Sequence, residues 1–535
     1  MSSDAPIFHF NDHRDELVRE VVRRVTSRVK DPHAILSDAI YHEVKRLTAS
    51  GGGPELSSWK SLARRLSTLS EQDRIYEVRK LAEEHAWDVA GNFDRRVYAV
   101  ATRLLPPVLG ALIAPKATMS SLQRLLDARE LTDRISVEGD TDRIRRLAQI
   151  GTVVYVPTHL SNMDSIVFGY ALERAGLPPA TYGAGKNLFT NPVLSFFMHN
   201  LGAYRVDRRL RHLLYKDVLK TYSCAVIERG YHSLFFPGGT RSRSGGVERR
   251  LKLGLAGTGV EAFARTALKG PEHTRRVFFV PATIAYLVTL EAETLITDFL
   301  SEAGKSRFII EDDESSRWAK VASFSEKLLR HDAGVAIRFG EPLDPFGNAV
   351  TDDGMSVDAR GHIVDPITYI QDRHGQVTVD PSRDAQYTRE LGDEICKRYL
   401  KHTVILATNV VAAVMLSRLR KSTDGDLFTL LRVRGYVGAP RHEIAAEAMA
   451  MRDKLLELER QGEVRVGTQL RMAQNGDEIV SEAVRAWGGA HSTEVVREEG
   501  SDLAIGSSPL VFYYQNRLAA HGLAYDVLAP KRGAA

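Results

Sequence analysis

The sequence predicts an α/β fold: a layered domain of βαβ type, its central sheet flanked by helices, set between helical N-terminal and C-terminal regions. Three observations predict it. Short apolar runs at residues 153–156, 233–236, 276–280 and 335–339 alternate with helical segments, the pattern of strands fed by crossover helices. Leu17, Val18, Val21, Val22 and Val25 recur at helical spacing near the N-terminus. From about Gln386 onward, helical patterns dominate again.

Taken in order, residues 1–130 read as a helical N-terminal region, with an amphipathic first helix, a glycine-rich loop at 49–54 and a further helical pattern at 71–87. Residues 131–349 read as the α/β domain. Residues 350–385, polar and turn-rich around Asp352, Asp353, Gly354, Arg360, Gly361, Asp365 and Pro366, read as an insertion or linker. Residues 386–535 read as mostly helical, with one short strand at 461–466. The chain reads as free of internal repeats and low-complexity tracts.

Composition narrows the function. The chain has 535 residues, 43% hydrophobic and 26% charged, enough for two to four domains with a large core. Its formal net charge of +4 argues against a global role in binding polyanions, and no nucleic-acid-binding module is recognisable. The two cysteines, Cys224 and Cys396, form no C-x-x-C pair, so neither a zinc site nor a redox pair is expected. Scarce cysteine fits a reducing, cytosol-facing location. The first residues lack the charged and apolar regions of a secretory signal. Two apolar stretches, 104–114 and 403–416, fall short of a membrane span. They read either as buried core helices or as a monotopic surface on a bilayer, with Arg418, Arg420 and Lys421 facing headgroups.

The residues that carry chemistry cluster at strand ends. His159 and Asp164 lie on the turn between the strand at 152–156 and the helix at 166–174, where α/β proteins bind ligands. A histidine oriented by a carboxylate is a general base for a hydroxyl proton, although H-x4-D also arises by chance. The strand at 233–236 runs into Pro237, Gly238, Gly239, Thr240, Arg241, Ser242 and Arg243. Here glycines let backbone approach a ligand and arginine forks match phosphate, unless the segment is a solvated basic turn. No G-x-x-x-x-G-K-[ST] is present. A second basic block, Gly202 followed by Arg205, Asp207, Arg208 and Arg209, reads either as further phosphate cations or as a solvated face. Lys252 adds one more cation, and Val280 and Pro281 open a fourth apolar strand.

In this order the blocks resemble the glycerolipid acyltransferase superfamily, whose first signature is H-x4-D, and within it the large glycerol-3-phosphate and dihydroxyacetone-phosphate acyltransferases. Residues 236–243 resemble F-x-E-G-T-R-S-R, residues 202–208 resemble G-x-F-F-I-R-R, and residues 280–286 resemble the fourth signature. Shorter stretches at 184–188 (A-G-K-N-L), 251–254 (L-K-L-G) and 339–342 (F-G-E-P) are also similar, so the resemblance covers roughly residues 145–345. Three positions depart from the pattern: Leu160 replaces the arginine after the motif histidine, Asp207 replaces the first of two arginines, and Gly238 replaces the glutamate that helps shape the acceptor site.

The resemblance implies a central mixed sheet. It implies acyl transfer from acyl-CoA or acyl carrier protein to the sn-1 hydroxyl of glycerol 3-phosphate, giving lysophosphatidate, the first step of phospholipid synthesis. His159 would be the base and Asp164 its orienting carboxylate. Asn187, Arg208, Gly239, Thr240, Arg241, Arg243 and Lys252 would bind substrate. No metal or other cofactor is implied. The partners would be glycerol 3-phosphate, the acyl donor and a membrane surface, with the enzyme peripheral or monotopic on the cytoplasmic face. Gly238 and Leu160 keep a second reading open, a different acceptor such as dihydroxyacetone phosphate, lysophosphatidate or another alcohol. A non-catalytic, membrane-associated lipid-binding protein is a third.

Overall fold

A computed structural model describes residues 5–102, 135–189, 192–303, 334–422, 431 and 438–524, without the side chains of 187, 188 and 192–194. Among the described residues, seven strands form the central sheet: β1 (Ile135–Glu138), β2 (Gly151–Pro157), β3 (Thr181–Gly185), β4 (Ala203–Val206), β5 (Ser233–Leu234), β6 (Arg276–Tyr286) and β7 (Val335–Phe339). Their order is β1-β7-β6-β2-β5-β3-β4. The five strands from β6 to β4 are mutually parallel, while β7 runs antiparallel to β6 and parallel to β1. The sheet is therefore mixed, as expected, and all four apolar runs read from the sequence lie in it.

Strand β2 is buried along its whole length because both faces of the sheet are covered. Side chains alternate between the faces. Val153 and Tyr155 pack with Phe168 of helix Asp164–Arg174, and with Ile284, Ile337 and Phe339. Val154 and Val156 pack on the other side with Cys224, Phe263, Phe279 and Tyr399. Those partners lie on helices Leu213–Glu228, Gly257–Ala267 and Pro381–His402, and on β6.

The N-terminal region holds helices Phe10–Ser27, Pro32–Ala49, Pro54–Arg65 and Glu71–Val89. Asp31 and Ser70 cap the second and fourth by accepting from the Ala34 and Asp73 amides. Their apolar faces close on Leu214, Tyr215, Val218 and Tyr222 of helix Leu213–Glu228. Arg24 reaches the same helix and donates to both carboxylate oxygens of Glu228 at 2.6 and 2.9 Å, out of water. Removing one partner of such a buried pair typically costs about 3–5 kcal/mol, because the other charge is stranded.

Two sequence readings that left alternatives open are decided here. The stretch 350–385 is a folded insertion rather than a linker: residues 349–350, 356–357 and 363–364 form a three-stranded antiparallel sheet, followed by a 3-10 turn at Pro366–Ile370. The reading of a chain without internal repeats is corrected here, since a repeat runs from Asp344 through this stretch. Asp344, Thr351, Asp358 and Asp372 each open a tight turn whose glycine (Gly347, Gly354, Gly361, Gly375) donates back to that residue's carbonyl and has φ between 74° and 87°. Asp365 stands at the remaining place in the seven-residue spacing, with Thr368 where the others have glycine. Polar turn residues hide such hairpins, since each strand between them is only two residues long.

The second open reading concerns 403–416. Val404 and Ile405 form a strand beside Arg465 and Val466, and helix Ala407–Ser422 then runs through the C-terminal core with Val410 to Leu416 buried. Asn409 is matched inside, accepting from the Leu406 amide and donating to the Tyr514 carbonyl. Arg418 turns to Glu443 and Glu447 rather than outward. This segment is a core helix, not a bilayer-facing one. The other apolar stretch, 104–114, lies outside the described residues, among which no helix is long and apolar enough to cross a membrane.

Buried histidines make the fold sensitive to acid. His232 accepts the Val153 amide of β2 through Nδ1 at 3.0 Å, and burial holds its pKa down at about 4. His85, His212 and His521 are held at about 4 by the same cause. A folded pKa below the ordinary value of about 6.5 means the unfolded chain takes up the proton first. Stability is then complete above about pH 6.5 and falls as pH drops toward 4, by up to about 1.4 kcal/mol per unit for each histidine. Chemical denaturation at stepped pH checks this; a flat profile between those limits would place the rings in contact with water.

Candidate active site

The dyad sits where β2 leaves the sheet. Thr158 ties the turn to the neighbouring strand, its amide donating to the Ala282 carbonyl and its hydroxyl accepting the Ile284 amide, both at 3.0 Å. Helix Asp164–Arg174 begins with the acidic residue, placing a negative charge at the helix N-terminus, where the backbone dipole favours it. Asp164 is fully buried and its carboxylate is saturated. Oδ2 accepts from His159 Nδ1 at 2.7 Å, from the Leu160 amide at 2.6 Å and from the Ser161 amide at 2.9 Å. Oδ1 accepts from the Tyr286 hydroxyl at 2.7 Å. Burial, and then the Asp164 charge, push the Tyr286 hydroxyl well above its usual range, so it stays a donor.

An ionised carboxylate only accepts, so Nδ1 of His159 carries the proton and Nε2 keeps its lone pair. Nε2 makes no hydrogen bond among the described residues. The ring stacks on Phe236 at 4.3 Å, which limits its rotation, and its side chain is 14% exposed, so a substrate can reach it.

The glycine-rich arginine loop follows β5, the strand next to β2, and joins the dyad directly: the Ser242 amide donates to the His159 carbonyl at 2.7 Å. Gly239, at φ 72°, has the long side chain of Lys252 lying across it, where a Cβ would fall 2.3 Å from Cδ. The Lys252 amide also donates to the Pro237 carbonyl at 2.7 Å. Thr240 is half-buried on this loop. Arg208 is an exposed residue on the turn after β4, within range of the Arg241 charge. Loss of water around its guanidinium pushes its pKa down, and the Arg241 charge adds to that. Two neighbouring guanidiniums repel, which favours an anion between them.

Other expected positions fall differently. Arg243 is paired with Glu302 of helix Ala292–Ala303. Asn187 lies on the 3-10 turn Lys186–Phe189, and its side chain lies outside the described residues. Leu160 is 2% exposed and belongs to the core, where an arginine would be a buried charge. Asp207 is held by Arg209, which donates to it at 3.0 and 2.8 Å.

The structure also supplies residues that sequence reasoning missed. Glu291 accepts from the Ser161 hydroxyl and the Asn162 amide at 2.9 Å each and from Arg241 at 3.3 Å, bridging the dyad turn to the arginine loop. Glu248 accepts the His159 amide at 2.9 Å. Helix Ser508–Ala519 buttresses the site from the C-terminal region: Asn516 donates to the Ser244 carbonyl, Arg517 donates to the Ile284 carbonyl, and Gly245 packs so closely on Tyr513 that a Cβ would fall 2.4 Å from its carbonyl oxygen. None of these carried a sequence signal for this role, whereas Tyr286, which donates to Asp164, was the last residue of the fourth block.

The site is a base dyad at a parallel strand end beside an arginine-bearing loop, an arrangement able to take a hydroxyl proton next to a bound anion. Residues 134–285 match the family model described as Acyltransferase. It is similar to the glycerol-3-phosphate acyltransferase of Xanthomonas campestris, 25% identical over 56% of this chain and 31% of that protein. It is also similar to the protein of the same name from Pseudomonas aeruginosa, 26% identical over 53% of this chain and 30% of that protein. The match thus spans less than a third of either relative's length. A solved structure, the 1-acyl-sn-glycerophosphate acyltransferase of Thermotoga maritima, aligns with 56% of this chain and 90% of that chain at 14% identity and TM-score 0.26, too low for any structural argument.

Proposed function

We propose that the protein transfers a fatty acyl group from an acyl thioester, acyl-CoA or acyl carrier protein, to the sn-1 hydroxyl of glycerol 3-phosphate. The observation that carries this reading is the saturated His159–Asp164 pair tied through Ser242 to the arginine loop. His159 Nε2 takes the hydroxyl proton as the acceptor oxygen attacks the thioester carbon. The tetrahedral intermediate collapses, the C–S bond breaks, and the imidazolium returns its proton to the leaving thiolate. The products are an ester, lysophosphatidate, and a free thiol. Asp164 fixes the tautomer and stabilises the imidazolium. No serine nucleophile is required, and side chains supply the acid, base and anion-binding groups without a metal or other cofactor.

Arg208, Arg241 and Lys252 hold the acceptor phosphate in this reading, so that binding energy away from the reacting atoms orients the hydroxyl. Arg241→Ala should raise the acceptor KM by roughly 10- to 100-fold, the value of a hydrogen bond to a charged group, with a smaller change in kcat. Steady-state kinetics with varied glycerol 3-phosphate checks this; an unchanged KM would remove Arg241 from the phosphate site. Because the product is a lipid, the enzyme works at a membrane surface on the cytoplasmic side, docking through surface other than the buried helix Ala407–Ser422. Gly238 favours a second reading, an altered acceptor. A panel of glycerol 3-phosphate, dihydroxyacetone phosphate, lysophosphatidate and glycerol with one acyl-CoA separates the two.

A further inference from the structure

Position 238 is glycine at the place where the resembled signature carries a carboxylate, yet a carboxylate is present beside it. A Cβ built on Gly238 would lie 3.5 Å from both Cγ and Oε1 of Glu248, and 3.4 Å from the Thr240 carbonyl oxygen. The space a side chain at 238 would enter is therefore bordered by Glu248, ten residues further along the same loop.

Glu248 is not a surface residue that happens to fold inward. Its Oε1 accepts the backbone amide of His159 at 2.9 Å. The loop that carries it is closed on the dyad turn by the Ser242 amide to the His159 carbonyl, and on itself by the Lys252 amide to the Pro237 carbonyl, both 2.7 Å. Its Oε2 is buried with no hydrogen-bond partner among the described residues. Burial pushes the carboxyl above its usual range, against the pull of Arg517 and of the His159 amide. A buried acid with half its hydrogen-bonding capacity unused is costly for stability alone. What it does hold is the main chain of the base.

We propose that Glu248 is a positioning residue for His159, a carboxylate that borders the space beside Gly238 and holds the main chain of the base. This rests on the acyl-transfer reading above and goes beyond it by coupling two positions. The His159 main chain is held on both sides by the arginine loop, at its amide by Glu248 and at its carbonyl by Ser242. Removing one side lets the imidazole drift from its angle to the acceptor hydroxyl, a loss expressed in turnover more than in acceptor binding.

The test is a swap. Glu248→Ala should lower kcat by roughly 10- to 100-fold with little change in acceptor KM, as expected for small misplacement of a catalytic group. Glu248→Gln keeps an oxygen for the His159 amide and should stay within about threefold of the wild type. Gly238→Glu alone places two carboxylates against each other and should lose activity; Gly238→Glu combined with Glu248→Ala should exceed both single variants. Wild-type kcat in Glu248→Ala, or a double variant no better than the worse single one, would overturn the proposal. A second readout needs no turnover: the rate at which diethyl pyrocarbonate modifies His159, followed by mass spectrometry. It should change in Glu248→Ala and not in Glu248→Gln; equal rates in all three proteins would also overturn the coupling. A wild-type protein that releases no thiol with acceptor defeats the acyl-transfer reading, and the labelling rates then still decide the role of Glu248.

Discussion

Replacing His159 by alanine should reduce acceptor-dependent acyl transfer at least about 10²–10⁴-fold, the usual contribution of a positioned general base, while leaving the melting temperature nearly unchanged. The ring is partly exposed and stacked on Phe236, so its loss opens space at the surface of the loop rather than in the core. What disappears is the lone pair on Nε2. The acceptor KM should move little, because the phosphate cations come from other elements. Initial-rate kinetics together with a thermal melt check both halves. An unfolded variant would mean that the turn depends on the ring, contrary to the backbone bonds that Leu160 and Ser161 make to Asp164.

Asp164 should separate into two effects. Asp164→Asn is nearly isosteric and can keep the turn, but it removes the charge that selects the Nδ1–H tautomer and stabilises the imidazolium; turnover should fall about 10³–10⁴-fold in a folded protein. Asp164→Ala strands the Leu160 and Ser161 amides in the interior and removes the acceptor of the His159 Nδ1 proton. At about 1–3 kcal/mol for each unmatched buried group, the alanine variant should be less stable by several kcal/mol as well as inactive. Denaturant melts of the two variants, read beside their rates, distinguish the electrostatic role from the structural one. Equal stability of alanine and asparagine variants would contradict the saturated carboxylate.

These expectations rest on features of different legibility. Four strands of the central sheet, β2, β5, β6 and β7, were readable as short apolar runs, whereas β1, β3 and β4 are buried at only one or two positions and were not. The dyad was readable because His159 and Asp164 lie within one turn. The arginine loop was readable as glycine and arginine at a strand end. Residues joined only by folding were not: Glu291 meets Ser161 from 130 positions away, and Asn516 reaches Ser244 across 272. No local pattern marks either. Arg241 and Arg243 look alike in sequence, and the carboxylates they meet, Glu291 and Glu302, lie 50 and 59 positions further on. The hairpins after Asp344 escaped notice because turn residues outnumber strand residues there. The stretch at 403–416 is apolar enough for a membrane surface or a core; the partners of Asn409 and Arg418 decide for the core, and neither is visible in sequence.

The central claim is that His159 deprotonates the hydroxyl of a phosphate-bearing acceptor for attack on a thioester. The most direct test is thiol release from acyl-CoA by purified protein, measured with glycerol 3-phosphate, with glycerol and with no acceptor, in wild type and His159→Ala. The account predicts release that depends on glycerol 3-phosphate, is far weaker with glycerol, and is lost in the variant. Release that proceeds equally without acceptor, or survives in His159→Ala, would contradict it.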